Sequence, residues 1–410
     1  MRARTNILFA HWGDEGIRGS ERVLLDLLAE IDRERFAPLL WCNAQSLADA
    51  ARELDVSSRV SRMPILLGWD APRFDANSFR ALVNEGRALI REHEARVVHA
   101  SSGAPNQWLV PAARSESVPL IAHLHAIYGF RERCTLLLHQ APVIVGCSGA
   151  VVAPFRADGI PESRLRVISN GVNFARVNMG EAGSLRRTLG IPATSLMLVG
   201  AGALVPLKGF HVLVRALQAV VERGIDAHLV IAGEGTEASA LLALSTELGV
   251  RERVHLIGQQ AHVGAVLRDA GDIAVIGSRI ESFGLVAAEA GAVARPTVAS
   301  RVGGIPEVID DGATGLLVAA GDHVAYADAI TRLARDPALL RAMGAAAHER
   351  TAARYTTARV ARAFEGLYDE LAHREAGAFG WRNLGFTARP FARLGLAVVG
   401  RRLGLAISDM

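Results

Sequence analysis

Short apolar runs alternate with amphipathic stretches along most of the chain. After the first run, apolar residues from Val23 to Ile31 recur with the spacing of one helix face. The apolar runs that predict buried strands in the first half are residues 6–10, 39–42, 96–100, 120–124 and 143–146. Because strands alternate with helices, we predict a parallel sheet that is covered by helices.

The alternation stops in a polar, irregular stretch at residues 174–195 and then begins again. The strands predicted there are residues 196–200, 227–232, 254–257, 273–276, 296–299 and 315–318, and the later helices are residues 323–335, 338–351 and 357–372. The chain has 410 residues, whereas a single hydrophobic core stops growing near roughly 250–300 residues. We therefore predict two domains.

Each half predicts a doubly wound, Rossmann-like α/β domain, the first at residues 1–180 and the second at residues 181–355. A C-terminal helix at residues 356–375 and a tail at residues 376–410 follow. Ligands of such sheets bind beyond the carboxyl ends of the strands. We therefore expect the two domains to face each other across a cleft that holds the site.

The composition excludes several classes of protein. The net charge of +3 is small and no groove-reading motif occurs, so we expect no nucleic-acid partner. Cys42, Cys134 and Cys147 lack the spacing of a zinc site, and we interpret them as reduced, buried thiols of a cytosolic protein. The first apolar run is too short for a signal peptide, and no run has the roughly 18 apolar residues of a membrane span. We expect a cytoplasmic protein.

The segment Glu281-Ser-Phe-Gly-Leu-Val-Ala-Ala-Glu289 follows a predicted strand and opens a helix. Ser282, Phe283 and Gly284 would present backbone N–H groups at a helix N-terminus, which attracts phosphate. The flanking carboxylates would accept hydrogen bonds from sugar hydroxyls. A nucleotide sugar carries both groups, so the pattern indicates a site for one. The two glutamates alone would suit a solvated helix face as well.

Lys208 is the exception among the 45 basic residues, since all the others are arginine. It lies in the loop from Gly202 to Phe210, between a predicted strand and a helix, where an ammonium would neutralise a diphosphate. An ammonium and a planar guanidinium are not interchangeable. The alternative is an exposed loop lysine without a function.

Residues 199–322 resemble the large retaining glycosyltransferase family 4, which has the GT-B fold. The resemblance lies in the two glutamates of the segment above, then in Gly303-Gly304-Ile305-Pro306-Glu307, Asp311-Gly312, Thr314-Gly315-Leu316-Leu317-Val318 and Gly321-Asp322. In the first half, the matching segments are Arg18-Gly19-Ser20-Glu21-Arg22, the strand from Pro119 to His125, Val145-Gly-Cys-Ser148 and Asn170-Gly-Val-Asn173. The resemblance covers about residues 5–372.

The resemblance implies a role for each candidate site residue. Glu289 would bind the ribose, and Glu281 would contact the donor sugar. Lys208 and the amides of residues 282–284, which precede Leu285, would hold the diphosphate. The implied catalytic residues are His125, Glu281 and Lys208, and the implied donor-binding residues are Gly19, Lys208, Glu281, Ser282, Phe283, Gly284, Leu285 and Glu289.

The same resemblance implies a hexosyltransferase with a nucleotide-sugar donor and a saccharide or lipid-linked acceptor, in the synthesis of cell-surface polysaccharide or glycolipid. It also implies retention of configuration, and a C-terminal helix that returns toward the first domain. No Asp-x-Asp motif accompanies the glutamates, so we expect neither a metal nor a cofactor. Ala203 departs from the family, which usually has an arginine there to help hold the diphosphate.

Two other functions stay open at this point. Gly13, Gly16 and Gly19 follow the first strand as in a dinucleotide-binding loop, but their spacing is not Gly-x-Gly-x-x-Gly and the second strand ends without an acidic residue. A nicotinamide-dependent enzyme is therefore the weaker alternative. Ala203 leaves open a non-catalytic, glycosyltransferase-like subunit that supports another enzyme.

The tail at residues 376–410 is basic and amphipathic. It carries five arginines and one acid, Asp409, and large apolar residues lie between the arginines. This pattern predicts peripheral contact with an anionic membrane at its inner face. The alternative is that the tail packs on the first domain, with arginine stems covering apolar surface.

Overall fold

The computed structural model describes residues 4–67, 73–178, 184–374 and 379. The chain forms two compact units. The first unit contains the described residues up to Ser169 together with those from Val360 onward, and the second unit is Asn170–Arg359. In the part of the chain that the structure describes, no helix is both long and apolar enough to cross a membrane.

The first unit contains a parallel sheet of seven strands in the order β3-β2-β1-β4-β5-β6-β7. Its strands are β1 (Thr5–His11), β2 (Phe36–Cys42), β3 (Ser57–Val60), β4 (Val97–Ala100), β5 (Leu120–Leu124), β6 (Val143–Gly146) and β7 (Leu165–Val167). Its helices are α1 (Gly19–Glu30), α2 (Gln45–Arg52), α3 (Ala76–Glu92), α4 (Asn106–Ser115), α5 (Phe130–Thr135) and α6 (Gly149–Ala157). The central strands are buried along their length, as apolar runs in a sheet covered on both faces must be.

The second unit contains a parallel sheet of six strands in the order β10-β9-β8-β11-β12-β13. Its strands are β8 (Leu196–Ala201), β9 (Ala227–Ala232), β10 (Val254–Leu256), β11 (Ile273–Ile276), β12 (Thr297–Ser300) and β13 (Gly315–Val318). Its helices are α7 (Phe174–Val177), α8 (Ser184–Thr188), α9 (Phe210–Glu222), α10 (Ala238–Glu247), α11 (Val263–Ala270), α12 (Leu285–Ala292), α13 (Ile305–Val308), α14 (His323–Arg335) and α15 (Pro337–Arg354). The two doubly wound α/β sheets confirm the predicted fold class.

The last described helix, α16 (Thr357–Ala372), continues from the second unit into the first. Phe364 and Tyr368 are fully buried in the core of the first unit. Tyr368 packs edge-on against the rings of Phe9 and Phe36. The first unit is therefore completed by a segment from the far end of the sequence.

The structure contains elements that the apolar pattern does not predict. The edge strands β3 and β7 are short, and β3 is mostly exposed while β7 has a single buried residue, so neither carries an apolar run that would reveal it. The polar stretch at residues 174–195 contains α7 and α8, and its residues 179–183 lie outside the described part. The tail predicted at residues 376–410 also lies outside it, except for Phe379.

Candidate active site

In the second unit, Lys208 and Glu281 form an ion pair. Lys208 ends a 3-10 turn at Pro206–Lys208 after β8, and Glu281 lies in the loop after β11. These strands are neighbours in the sheet, so their carboxyl ends meet at one edge. Lys208 Nζ donates to Glu281 Oε2 at 2.7 Å, and Ser278 Oγ lies 3.3 Å from the same oxygen. The side chains of the pair are 30% and 18% exposed, so a ligand can reach them.

Glycines let the two loops approach each other. Gly209 has φ +64°, and a Cβ there would clash with the carbonyl oxygen of Gly277. The backbone N–H of Arg279 also donates to Leu207 O at 2.9 Å. A residue with a side chain at position 209 would push these loops apart, because φ is in the left-handed region and the space is filled.

A second pair of glycines fixes the backbone of Glu281. The N–H of Gly304 donates to Glu281 O at 2.9 Å. Gly303 has φ +52°, and a Cβ there would clash with that same oxygen. The Gly303-Gly304 segment therefore holds the backbone from which the Glu281 carboxylate reaches Lys208.

The segment that follows Glu281 leads into the N-terminus of α12. Gly284 is the N-cap residue with φ +96°, and Leu285 is the first helical residue. Phe283 is 2% exposed and packs edge-on against Tyr355, with ring centroids 5.5 Å apart. Ser282 is half-buried beside it. The backbone amides at this end of α12 carry the partial positive charge of the helix dipole.

Glu289 lies in the middle of the same helix. It is 9% exposed, and its place in α12 puts its Cα about 6 Å along the axis from Leu285. The second unit thus places Lys208, Glu281, Ser282, Phe283, Gly284, Leu285 and Glu289 on one loop pair and one helix.

Arg279 is a further cation at this place. Within the described structure its exposed side chain has neither a hydrogen bond nor an ion pair. Burial, and after it the positive charge of Arg279, lowers the pKa of His211, which lies in the first turn of α9. Glu281 offsets part of the charge of Lys208, and Arg279 adds a cation beside the pair that has no ion-pair partner among the described residues.

In the first unit, His125 follows directly after β5. Its Nε2 lies 3.5 Å from Ser101 Oγ, at the end of the neighbouring strand β4. The backbone oxygen of Ser101 lies 3.0 Å from Nδ1 of His11, which ends β1. His11 Nε2 in turn lies 2.8 Å from Glu21 Oε1, and both side chains are buried. The carboxyl ends of three adjacent strands thus supply one connected polar group.

A chain of buried rings lies behind His125. His99 Nδ1 is 2.6 Å from the hydroxyl of Tyr368 on α16, and His99 Nε2 is 3.1 Å from His123 Nδ1. The ring centroids of His123 and His125 are 4.1 Å apart. Burial, followed by the charge of His125, lowers the pKa of His99 to about 3 and that of His123 well below its usual value. Both buried imidazoles are therefore neutral at pH 7.

His125 also lines a pocket of about 500 Å³ within the first unit. We call it the first-unit pocket; residues that line it include Trp12, Arg18, Glu21, His125, Tyr128 and Glu132. Burial is the largest single influence on Glu21 and raises its pKa, but the hydrogen bond and charge of His11, together with the backbone N–H groups of Glu21 and Arg18, lower the pKa overall. Gly13 has no room for a side chain, because a Cβ would clash with Glu21 Oε1.

Sequence reasoning did not identify the roles of Gly13, Trp12 and Tyr128. It emphasised Gly19, which the structure places as the exposed first residue of α1, with no atom within 4 Å of a Cβ built there. The signal for Glu21 was present in the turn Arg18-Gly19-Ser20-Glu21-Arg22. His11 and Tyr128 give no sequence signal, because their roles come from long-range contacts. Among the described residues, no group of three or more His, Cys, Asp or Glu is placed to hold a metal ion.

Family models of glycosyltransferases match both halves of the chain. The family model for Glycosyltransferase Family 4 matches residues 17–176, and the model for Glycosyl transferases group 1 matches residues 182–350. The chain is similar to D-inositol 3-phosphate glycosyltransferase 1 of Catenulispora acidiphila, with 32% identity over 286 residues, which are 62% of this chain and 68% of that protein.

It is also similar to D-inositol 3-phosphate glycosyltransferase of Saccharomonospora viridis, with 36% identity over 223 residues, or 52% of this chain and 51% of the relative. The chain spans about half the length of such curated relatives. Its fold matches the crystal structure of HepE from Anabaena in complex with UDP and glucose, with a TM-score of 0.77 and 22% identity over 89% of this chain and 100% of that one. The chain belongs to glycosyltransferase family 4, the glycosyl transferases group 1, and has the GT-B fold.

Proposed function

We propose that this protein is a hexosyltransferase that moves a sugar from a nucleotide-sugar donor to a saccharide or lipid-linked acceptor. The observation that carries the proposal is the Lys208–Glu281 pair beside the N-terminus of α12, because it combines a cation, backbone amides and a carboxylate at one strand edge. In this proposal the second unit holds the donor, and the first unit supplies the acceptor pocket and His125.

The donor diphosphate would be bound by positive charge that is already in place. Lys208, Arg279 and the amides of residues 282–284 would surround the diphosphate. When the bound diphosphate also contacts Lys208, Glu281 would accept hydrogen bonds from the donor sugar. Glu289 would accept hydrogen bonds from the ribose hydroxyls. The similarity to HepE, whose crystal structure contains UDP and glucose, makes UDP-glucose the first donor to test.

Transfer would depend on stabilising the leaving group. The bond between the anomeric carbon and the phosphate oxygen breaks, and negative charge develops on the nucleoside diphosphate. Preorganised cations and helix amides lower such a barrier most when they face the developing charge. We propose that no metal is required, since Lys208 and Arg279 supply that charge.

The proposal includes retention of configuration by front-face attack. The acceptor oxygen forms its bond to the anomeric carbon on the side that the phosphate leaves, and the acceptor proton passes to the departing phosphate oxygen. Oε2 of Glu281 is already engaged by Lys208 and Ser278, which does not suit this carboxylate to act as a free nucleophile in a covalent double displacement and supports this route. We further propose a role in the synthesis of cell-surface polysaccharide or glycolipid.

The test is thermal unfolding of the full chain with a panel of nucleotide sugars, followed by an assay of donor hydrolysis and transfer in EDTA. A ligand at about 100 times its Kd stabilises the folded state by about 2.7 kcal/mol, so binding raises the Tm. We expect one nucleotide sugar to raise the Tm, nicotinamide nucleotides to leave it unchanged, and turnover to survive the chelator. Donor binding without any hydrolysis or transfer would instead favour the non-catalytic subunit.

A further inference from the structure

We propose that the first-unit pocket takes its acceptor as an uncharged sugar and discriminates against a phosphorylated one. This inference rests on the proposed transferase function and specifies the chemical class of the acceptor. This acceptor is uncharged, whereas the names of the two similar proteins contain a phosphorylated inositol.

The charges that line the pocket are mostly negative. Three carboxylates, those of Asp14, Glu21 and Glu132, line it together with one guanidinium, that of Arg18. Arg18 Nη1 lies 2.9 Å from Asp14 Oδ2, so the cation is paired with a carboxylate of the same wall. Burial raises the pKa of Glu21, but the hydrogen bond and charge of His11 and the backbone N–H groups of Glu21 and Arg18 together lower it. With the contacts of Glu21 to His11 and of Asp14 to Arg18 counted, Glu132 is the lining carboxylate without an ion-pair partner among the described residues, so the lining has negative charge in excess.

A phosphate group would meet this negative charge, and Arg18 would have to give up its contact with Asp14 to offset it. Like charges that are brought together in a partly desolvated site repel each other, and sites use such repulsion to reject wrong partners. Sugar hydroxyls, in contrast, donate hydrogen bonds to carboxylates, and such bonds are stronger than those between neutral groups. The same side chains therefore favour a neutral sugar and disfavour its phosphate ester.

Two fixed aromatic rings supply the apolar part of the pocket. Trp12 Nε1 donates to Met63 O at 2.8 Å, and the Trp12 backbone N–H donates to Ser102 Oγ at 3.1 Å. The hydroxyl of Tyr128 accepts from the N–H of Gly103 at 3.1 Å, and burial raises the pKa of Tyr128 to about 12. Each ring already has a partner for its polar atom. The rings can therefore offer rigid, neutral surfaces to the C–H groups of a sugar ring at low entropic cost.

The size of the pocket agrees with this class of ligand. A volume of about 500 Å³ lies within the range of small-molecule sites, which combine apolar walls with a few converging polar groups. Apart from the rings, the walls include Ile65, Leu67, Ala104 and Leu136. His125 reaches the same pocket, next to where an acceptor hydroxyl would lie.

The experiment is ligand-observed NMR on the full chain at low ionic strength, with and without saturating UDP. The probes are two matched pairs: methyl α-glucopyranoside with glucose 6-phosphate, and inositol with inositol 3-phosphate. We expect at least one neutral member to bind at least tenfold more tightly than its phosphorylated partner. Glu132→Gln and Asp14→Asn should each improve binding of the phosphorylated member several-fold, and Trp12→Ala should abolish binding of the neutral one.

Glu34→Gln is the matched control, because Glu34 is an exposed carboxylate of the same unit that does not line the pocket. Phosphorylated sugars that bind the unaltered protein as tightly as the neutral ones would overturn the inference. A selective loss of phosphorylated-sugar binding in Arg18→Gln would also overturn it, and so would the failure of every probe to bind. The effect of UDP on Tm is measured on the same samples. If UDP binds but the acceptors are not discriminated, this inference alone is rejected; if UDP does not bind either, the proposed transferase function is in question.

Discussion

Lys208 is the residue in which sequence statistics and structure point to the same chemistry. Its stem passes Gly202, where a Cβ would lie 3.7 Å from the Lys208 Cδ and Cε atoms, and its ammonium ends on Glu281. Gly202 adopts a φ of +146°, which side chains rarely adopt, so the Lys208 stem runs past a position without a Cβ. A branched, planar guanidinium would have to follow the same path and still reach one carboxylate oxygen.

We therefore expect Lys208→Ala to lower kcat by about 10²–10³, the usual effect of removing one preorganised group that stabilises developing charge. Lys208→Arg should recover only part of the loss, because its charge is retained but its geometry is not. Steady-state kinetics with the donor identified by the Tm panel would measure both. Full activity in Lys208→Arg would show that only the charge at this position matters.

Glu289 makes a separate contribution, which concerns affinity rather than turnover. Glu289→Gln keeps the shape of the side chain and removes its charge, so the fold should be retained. A hydrogen bond to a charged group contributes about 1.5–3 kcal/mol, and donor affinity should therefore fall by an order of magnitude or more. Calorimetric titration with the free nucleotide measures this loss, with the exposed Glu349→Gln on α15 as the control. Equal titration curves for the variant and the unaltered protein would remove Glu289 from the ribose site.

At the scale of elements, the apolar pattern predicted the central strands of both sheets and the edge strands β10 and β13 of the second sheet, but not the edge strands β3 and β7 of the first. A strand buried on both faces of a parallel sheet is mostly apolar, so β6 or β11 is evident from its residues alone. β3 needs no apolar run, because it lies at an edge and is mostly exposed. The family resemblance assigned Lys208 and Glu281 to one donor site, and the structure brings the two side chains into contact because they follow the neighbouring strands β8 and β11.

The parts of the site that escaped prediction depend on contacts between distant elements. Tyr368 reaches His99 from α16, which is 269 residues further along the chain. Gly13 is required only because the carboxylate of Glu21 folds back against it. Neither contact has a local spacing that a sequence pattern could reveal. Such relations appear only when the packing of α1 and α16 on the sheet is known.

The role of the Gly303-Gly304 segment in holding Glu281 can be tested with a matched pair of substitutions. Gly303 and Gly312 both have a positive φ in the second unit, but a Cβ at Gly312 meets no atom within 4 Å, whereas one at Gly303 meets Glu281 O. Gly312→Ala should cost only about 1 kcal/mol of stability for backbone strain. Gly303→Ala should cost more and also weaken donor binding at least tenfold. Urea unfolding and nucleotide titration of both variants measure this; equal donor affinities would show that the loop does not position Glu281.

The docking of α16 predicts a specific dependence of stability on pH. The folded pKa of His99 is about 3 and that of His123 is also depressed, whereas an unfolded histidine has a pKa near 6.5. Between these values the unfolded state binds more protons, so the free energy of unfolding rises with pH. His99 should remove about 1.4 kcal/mol per pH unit as the pH falls from about 6 toward 3, and His123 should add a loss in the same direction below its ordinary pKa, with no effect above pH 7.

Urea unfolding at pH 7, 6 and 5 measures this slope, and His123→Phe should make it shallower by one proton. Tyr368→Phe should destabilise the first unit by about 1–3 kcal/mol, because it leaves a buried ring nitrogen of His99 without its partner. Tyr355→Phe is the control, since the Tyr355 hydroxyl bonds to Glu307 O in the second unit. A pH slope that is unchanged in His123→Phe would contradict the neutral-ring interpretation.

At the scale of the whole molecule, the tail at residues 376–410 is the main feature that lies outside the described residues. Phe379 alone is described: it is 5% exposed in the core of the first unit, and the Arg374 guanidinium lies 5.8 Å from its ring centroid. Membrane contact and packing on the first unit are therefore open alternatives only for the residues after Phe379. The proposed contact with an anionic membrane would rest on the arginines after Phe379.

We predict that the full chain floats with vesicles of anionic lipid and that a chain ending at Phe379 does not. The five tail arginines, Arg382, Arg389, Arg393, Arg401 and Arg402, would each add about 1 kcal/mol of attraction near such a surface, and high salt should screen it. Ending the chain at Phe379 rather than before it retains the buried ring, so the first unit should keep its stability in urea. A second variant with the five arginines replaced by glutamine keeps the length and apolar residues and should also stay with the soluble fraction. Equal flotation of all three proteins would show that the tail arginines do not bind the membrane, and a loss of urea stability in the shortened chain would favour a tail packed on the first unit.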